Sequence, residues 1–367
     1  MLFIDNDAVR DLLTIQDCID VQDESFRRLD SNASIHRPRI DMYVPTGRQD
    51  DYFRWGTMEG ADKELGVFAI RMKSDILTWP HHDDGTQTVE KYCVRPGTYC
   101  GFICLFSTRN GEPLAFINDG VLQHMRVGAA AGLGAKYLAR EDSHRVGMIG
   151  SGGMARTFLS AFCAVRPIVS AKVYSPTQKH REEYAVEMSE ALGISVEPVA
   201  SSRDAVSNVD IVAACTDSMH PVFDGEWLES GVHVTNVGGR EMDAAVYQKA
   251  AVTIRQGIGS LRLESGAAGY IAGSAEEMAI IPESLRGLGA ESDVSSRAAE
   301  RNYPTFMDLV AGRVKGRKSD ADITHYLNVG NQGLQFAAVG AKVLERANEA
   351  RRGRQVPTEW FLQDIRD

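Results

Sequence analysis

The run Arg145-Val-Gly-Met-Ile149-Gly150-Ser151-Gly152-Gly153-Met154-Ala155 joins a short apolar segment to a glycine-rich loop, and the residues after it place Phe158 and Phe162 at helical spacing. A G-x-G-x-x-A run between strand and helix is the dinucleotide-binding fingerprint. Gly150 permits the tight turn, Gly152 lets the backbone approach a pyrophosphate, and Ala155 keeps helix and strand close. The uncapped N–H groups of the helix start face the phosphates, with Ser151, Gly153 and Met154 completing the loop.

Downstream, Ala171–Tyr174, Ile211–Ala214 and His233–Val237 are near-continuous apolar runs separated by helical segments. That order predicts a parallel, doubly wound α/β sheet of Rossmann type. Thr216, Val237 and Gly238, at the ends of the later strands, are read as further cofactor contacts. The second strand ends in Tyr174-Ser175-Pro-Thr177-Gln-Lys179-His-Arg181, with no acidic residue before Glu182. An NAD site usually places Asp or Glu there for the ribose 2′-hydroxyl. Ser175, Thr177, Lys179 and Arg181 instead suit a 2′-phosphate, so NADP(H) is favoured over NAD(H).

Upstream the pattern differs. Thr14 to Leu29 reads as an amphipathic helix that Thr14 and Asp17 begin with a capping box. Phe53–Met58, Val67–Met72, Tyr99–Phe106 and Leu114–Ile117 read as short strands, the last two joined as a hairpin through Arg109-Asn-Gly111. Val121 to Arg140 is a helix rich in small residues. Ser260 to Lys318 reads as mixed helix and loop. Asp320–Asn328 looks like a strand returning to the first domain, and Leu334 to Ala350 like a helix. The tail from Arg351 is expected to be poorly ordered or to wrap a partner. This predicts a substrate and dimerisation domain of α+β type from residues 1–124 and 318–367, with a Rossmann domain at 125–317.

The 367 residues carry a formal net charge of −10, which argues against a nucleic-acid or anionic-membrane partner. No leader-like N-terminus and no run of membrane-spanning length is visible, which suggests a cytoplasmic protein. The six cysteines form no CxxC pair and read as reduced, mostly buried thiols. His81-His-Asp-Asp84 reads as a solvated loop, and no metal site is expected.

Taken in order, Arg39, Lys73 in Ala69-Ile-Arg-Met-Lys73, Gly111–Asp119, Arg126, the glycine loop and Arg317–Thr324 resemble the ornithine cyclodeaminase and mu-crystallin family over nearly the whole chain. The resemblance implies a homodimer whose antiparallel sheets form a shared barrel. It implies that Arg39 and Arg126 clamp a substrate carboxylate, a task suited to the two-pronged guanidinium. Lys73 would contact the carboxylate or the reacting nitrogen as acid or base, and Thr98 would lie near cofactor and substrate. Three departures bear on activity. Arg240 stands where family cyclodeaminases carry an Asp for the substrate amine, Val127 replaces a threonine, and Asn331–Phe336 lacks an expected acidic residue.

The expectation is an NAD(P)-dependent oxidoreductase acting on the C–N bond of an amino acid or imine, with a small amino acid, oxo acid or imine as substrate and Arg240 shaping its pocket. Two readings stay open beside it: an ornithine cyclodeaminase-type ammonia lyase with bound NAD, and a noncatalytic ligand-binding protein or accessory subunit of an amine oxidase.

Overall fold

The computed structural model describes residues 1–48, 51–83, 85, 87–238, 240–257, 270–272, 276–279 and 302–365. The chain opens with β1 (Leu2–Ile4), α1 (Asn6–Leu12) and α2 (Ile15–Arg28). Thr14 and Asp17 form the expected capping box, and α2 buries Cys18, Ile19 and Phe26. Six strands follow: β2 (Ser34–Pro45), β3 (Asp51–Asp62), β4 (Val67–Thr78), β5 (Glu90–Tyr92), β6 (Cys100–Ser107) and β7 (Pro113–Asn118). They form the body of a ten-stranded mixed sheet, in which β2, β3, β4, β6 and β7 pair antiparallel in that spatial order. The hairpin β6–β7 falls where the turn signal puts it.

β3 and β4 are 12 residues each, longer than their apolar runs. The reason is chemical: Arg54, Arg71, Lys73 and Asp75 occupy the inward-facing positions, so the alternation of apolar residues that marks a strand is interrupted where the sheet faces inward. The inner face packs against α2, α3 (Asp119–Leu138) and the helix Gln332–Glu349 in the largest core cluster.

After α3 the α/β alternation begins with β8 (Arg145–Ile149), α4 (Gly153–Val165), β9 (Ser170–Tyr174), α5 (Gln178–Leu192), β10 (Ser195–Pro198), α6 (Ser202–Val206), β11 (Ile211–Ala214), β12 (His233–Asn236), α7 (Ala244–Lys249) and β13 (Val252–Arg255). These strands lie parallel in the order β10-β9-β8-β11-β12, then the strand Thr324–Leu327, then β13. The fold is therefore α/β, a Rossmann sheet beside a mixed-sheet layer. The reversal of order at β8 sets the crevice above its C-terminal end, where such sheets bind ligands.

Three expectations need correction. Thr324–Leu327 does not return to the first sheet; its four buried residues insert between β12 and β13, and only the helix after it crosses back. The tail is not loose: Arg354–Gln355 pairs antiparallel with β1, and Thr358 Oγ1 meets the Met1 amino group at 2.8 Å. Among the cysteines, all free, only Cys18 and Cys215 are buried and the other four are half-buried. Within Ser260–Lys318, Tyr270–Ala272 and Glu276–Ala279 are strands that join the ten-stranded sheet beside β2. Of the same stretch, Leu285–Asn302 lies outside the described residues except for Asn302, as does Asp84 of the histidine-containing loop. Among the described residues no helix is long and apolar enough to cross a membrane.

Candidate active site

Strand register assembles the substrate side. Lys73 lies directly across from Gly56 on β3 and Gly101 on β6, and Gly56 across from Asp41 on β2. Residues paired this way share a face, so Lys73 and Asp41 project together with Arg71 and Asp75. The glycines make room: a Cβ at Gly56 would sit 2.2 Å from Asp41 Oδ1, and one at Gly101 2.3 Å from Asp119 Oδ2.

The carboxylates on this face are already engaged. Asp75 accepts from Lys73 Nζ at 2.7 Å and from Arg54 at 2.5 Å. Asp41 accepts from Arg39 Nε at 2.8 Å, and Asp119 from Arg71 Nε at 2.6 Å. Burial, with repulsion from Arg54 and Lys91, holds the Lys73 ammonium well below the usual lysine range despite the attraction of Asp75. A lysine so placed gives up its proton more readily than an exposed one.

Arg126, on α3, is 7% exposed, and among the described residues its acceptors are neutral: Gln335 Oε1 at 2.7 Å and Gln123 Oε1 at 2.9 Å. Its guanidinium lies 4.8 Å from the Phe336 ring centroid. Burial first, then Arg71 and Arg39, push its pKa down to about 9. Gln335 belongs to the segment where an acidic residue was expected and missed. The glutamine satisfies the hydrogen bonds of Arg126 and leaves its charge for an anion.

The dinucleotide side matches its motif. Gly150 has φ +104°, and a Cβ there would stand 2.3 Å from the Cys215 carbonyl oxygen, so the turn admits only glycine. At Gly152 a Cβ would meet nothing within 4 Å, and Gly152 caps α4 with no side-chain hydrogen bond. The helix start is thus open, polar and electropositive, as a pyrophosphate requires. Ser151, Gly153, Met154 and Ala155 follow in place, with Ala155 fully buried.

At the end of β9, Ser151 Oγ meets Ser175 Oγ at 3.1 Å, and Arg181 Nη1 donates to the Ser175 carbonyl at 2.9 Å. Thr177 and Lys179 are exposed there. Thr216, Val237 and Gly238 are gathered by a residue that sequence reasoning missed, Glu241. Its buried carboxyl accepts from Thr216 N at 2.6 Å, Val237 N at 3.0 Å and Gly238 N at 2.5 Å, holding the loops after β11 and β12 together. Arg240, half-buried, is its chain neighbour at this loop.

The two sides touch. A Cβ on Gly153 would lie 2.9 Å from His124 Nε2, two residues before Arg126 on α3. Thr88 bridges Ser218, and Met219 N donates to the Gln87 carbonyl at 3.1 Å. Helix α3 thus meets the glycine loop, and the β4–β5 loop meets the loop after β11. Thr98 lies in the β5–β6 turn, where its hydroxyl donates to the Arg95 carbonyl at 2.7 Å.

Sequence reasoning also missed Arg54 and Lys91. Lys91 lies across from Leu77 on the face that bears Lys73 and Asp75. It is open to solvent yet hemmed in by protein, and desolvation followed by repulsion from Arg54 pushes its pKa down to about 8. A three-residue strand with charges on both sides has no periodicity to reveal it.

Known proteins resemble the chain over most of its length. The chain is 27% identical to a putative dehydrogenase of Rhizobium meliloti, covering 90% of this chain and 91% of that protein. It is 27% identical to the alanine dehydrogenase of Archaeoglobus fulgidus, covering 84% and 91%. The solved Delta(1)-pyrroline-2-carboxylate reductase of Thermococcus litoralis, in complex with NADH and L-proline, superposes with a TM-score of 0.76 at 26% identity, covering 97% of this chain and 100% of that one. Residues 3–350 match the model of the ornithine cyclodeaminase/mu-crystallin family, and the chain belongs to that family.

Proposed function

We propose that the protein is an NAD(P)-dependent oxidoreductase that interconverts an imine and an amine beside a carboxylate, as an imine reductase or amino acid dehydrogenase. One observation carries this most: among the described residues Arg126 is a buried cation hydrogen-bonded to no carboxylate, on the helix that meets the open glycine loop. The relatives support the class of chemistry, since they include dehydrogenases and a reductase.

Gly150 to Ala155 would hold the pyrophosphate, with the loops braced by Glu241 beneath the nicotinamide. The nicotinamide supplies or accepts the hydride. Arg126, aided by Arg39, grips the substrate carboxylate and fixes the reacting carbon in the cleft. Lys73, oriented by Asp75, gives a proton to the nitrogen as the C=N bond is reduced and takes it back in the oxidative direction. Its lowered pKa suits both roles. Arg240 has no carboxylate with which to hold a substrate ammonium, which favours this reading over ornithine cyclisation.

The absence of an acid at the β9 end, with Ser175, Thr177, Lys179 and Arg181 around it, favours NADP(H). The outer face of the ten-stranded sheet exposes Met42 (43%) and Val44 (40%) and half-buries Phe68, Phe102 and Phe116. Such a face is suited to a second copy of the chain, giving a homodimer.

Purified protein with NADPH or NADH, offered cyclic imines and 2-oxo acids with ammonia or methylamine, tests the function. Cofactor oxidation is expected. Ammonia release from ornithine without net cofactor change would establish the lyase instead, and cofactor binding without turnover would point to a ligand binder.

A further inference from the structure

Helices α3 and α4 meet along a seam of small residues. A Cβ on Gly128 would stand 2.6 Å from Thr157 Cβ, and one on Gly132 2.9 Å from Ala161 Cβ. Contacts on both helices step four residues at a time, the ridge spacing along which helices interlock. One step nearer the start of both helices, the seam reaches His124 and Gly153. There the sizes reverse. The glycine is now on α4, and a Cβ on it would stand 2.9 Å from His124 Nε2. The imidazole thus fills the place that a side chain on Gly153, the first residue of α4, would take.

That turn is the one the glycine loop opens toward a pyrophosphate. Gly152, one residue earlier, has open space where its Cβ would be, and no side chain caps the helix. His124 is open to solvent yet hemmed in by protein. Among the described residues its ring makes no hydrogen bond. The charges that face it are Asp119 and Arg126 on its own helix, Arg156 on α4 and Lys91 on β5. Asp119 is engaged by Arg71, and Arg156 by Glu187 at 2.9 Å. Burial comes first, and with repulsion from the three cations it holds the imidazole below the ordinary histidine range against the pull of Asp119. The ring is therefore neutral at neutral pH in the free protein, the form that a helix N-terminus favours. A pyrophosphate brings negative charge to the same turn and reverses that balance.

We infer that His124 binds the pyrophosphate of the dinucleotide: its Nε2–H donates to a phosphate oxygen, and the ring takes up a proton from solvent as the dinucleotide binds. The neutral ring holds one N–H, so the added proton goes to the other nitrogen and the bond to phosphate becomes charge-assisted. Binding is tighter while the bound ring is protonated and weakens as pH rises through the value of the bound state. The inference rests on the glycine loop as the dinucleotide site and not on which bond the enzyme reduces.

The test reads binding, not turnover. Full-length protein and His124→Ala are titrated calorimetrically with NAD+ and with NADP+, each in two buffers of different ionisation enthalpy. The parent is expected to take up a fraction of a proton that the variant does not, and the variant to bind at least tenfold more weakly. Between about pH 6 and about pH 8 the affinity of the parent for NAD+ is expected to fall at least threefold, and that of the variant to stay flat. Gly153→Ala, which displaces the imidazole, is expected to weaken binding in the parent and to add little in His124→Ala. Parent-like affinity in His124→Ala overturns the inference, as does weaker binding with the proton uptake unchanged. A variant that loses folding stability in urea together with affinity shows a packing role and also overturns it. Failure of the parent to bind either dinucleotide overturns the inference together with the site.

Discussion

Replacing Arg126 with methionine should damage catalysis and leave stability nearly unchanged. Among the described residues the guanidinium is buried with no carboxylate hydrogen-bonded to it, and its pKa is pushed down to about 9. At about 1.4 kcal/mol for each tenfold, that displacement from the ordinary arginine value is an upper bound of about 5 kcal/mol that the fold spends to keep the charge. Against it stand the hydrogen bonds to Gln335 and Gln123, about 1.5–3 kcal/mol each for a charged donor, and the contact with Phe336, about 1 kcal/mol. These terms offset to within about 2 kcal/mol, so the variant should unfold within about 2 kcal/mol of the parent. Truncating a well-paired buried charge, by contrast, costs about 3–5 kcal/mol. A two-pronged contact with a substrate carboxylate comprises two such charged hydrogen bonds, so kcat/KM should fall by about a hundredfold or more. Urea unfolding and steady-state kinetics on the same preparation measure both. A variant that loses 3 kcal/mol of stability and keeps its kcat/KM within threefold would show that Arg126 is structural and refute the reasoning.

Lys73→Met should lose turnover by at least a hundredfold while NADPH still binds, as read by fluorescence titration; retained turnover would remove Lys73 from the mechanism. Ser175→Asp places an acid at the β9 end, where it can accept from a ribose 2′-hydroxyl and repel a 2′-phosphate, so preference should move at least tenfold toward NADH; an unchanged ratio would locate cofactor choice elsewhere. Met42→Glu, on the exposed sheet face, should shift the protein from dimer to monomer in sedimentation; a monomeric parent would contradict the dimer.

What could be read from residues alone followed what each pattern encodes. β8, the glycine loop and β11 were legible because buried parallel strands are apolar throughout and the loop has glycines where the backbone allows nothing else. Thr324–Leu327 was legible as a strand and misplaced as to sheet, since alternation and burial define a strand while its neighbours depend on the crossover before it. β3 and β4 looked short because the site itself occupies their inner face, with Arg54 and Lys73 where core residues would otherwise alternate. Lys91 and Glu241 escaped for a related reason. One sits in a three-residue strand and the other in a loop, and each acquires its role only from atoms distant in sequence.

The central claim is hydride transfer between nicotinamide and the α-carbon of an amino acid. The direct measurement supplies NAD(P)H deuterated at C4, with an imino or oxo acid and ammonia, and weighs the amino acid product by mass spectrometry. The account predicts one deuterium at the α-carbon, transferred from one face of the ring. A product free of deuterium, with cofactor unconsumed and ammonia released from an amino acid substrate, would contradict it.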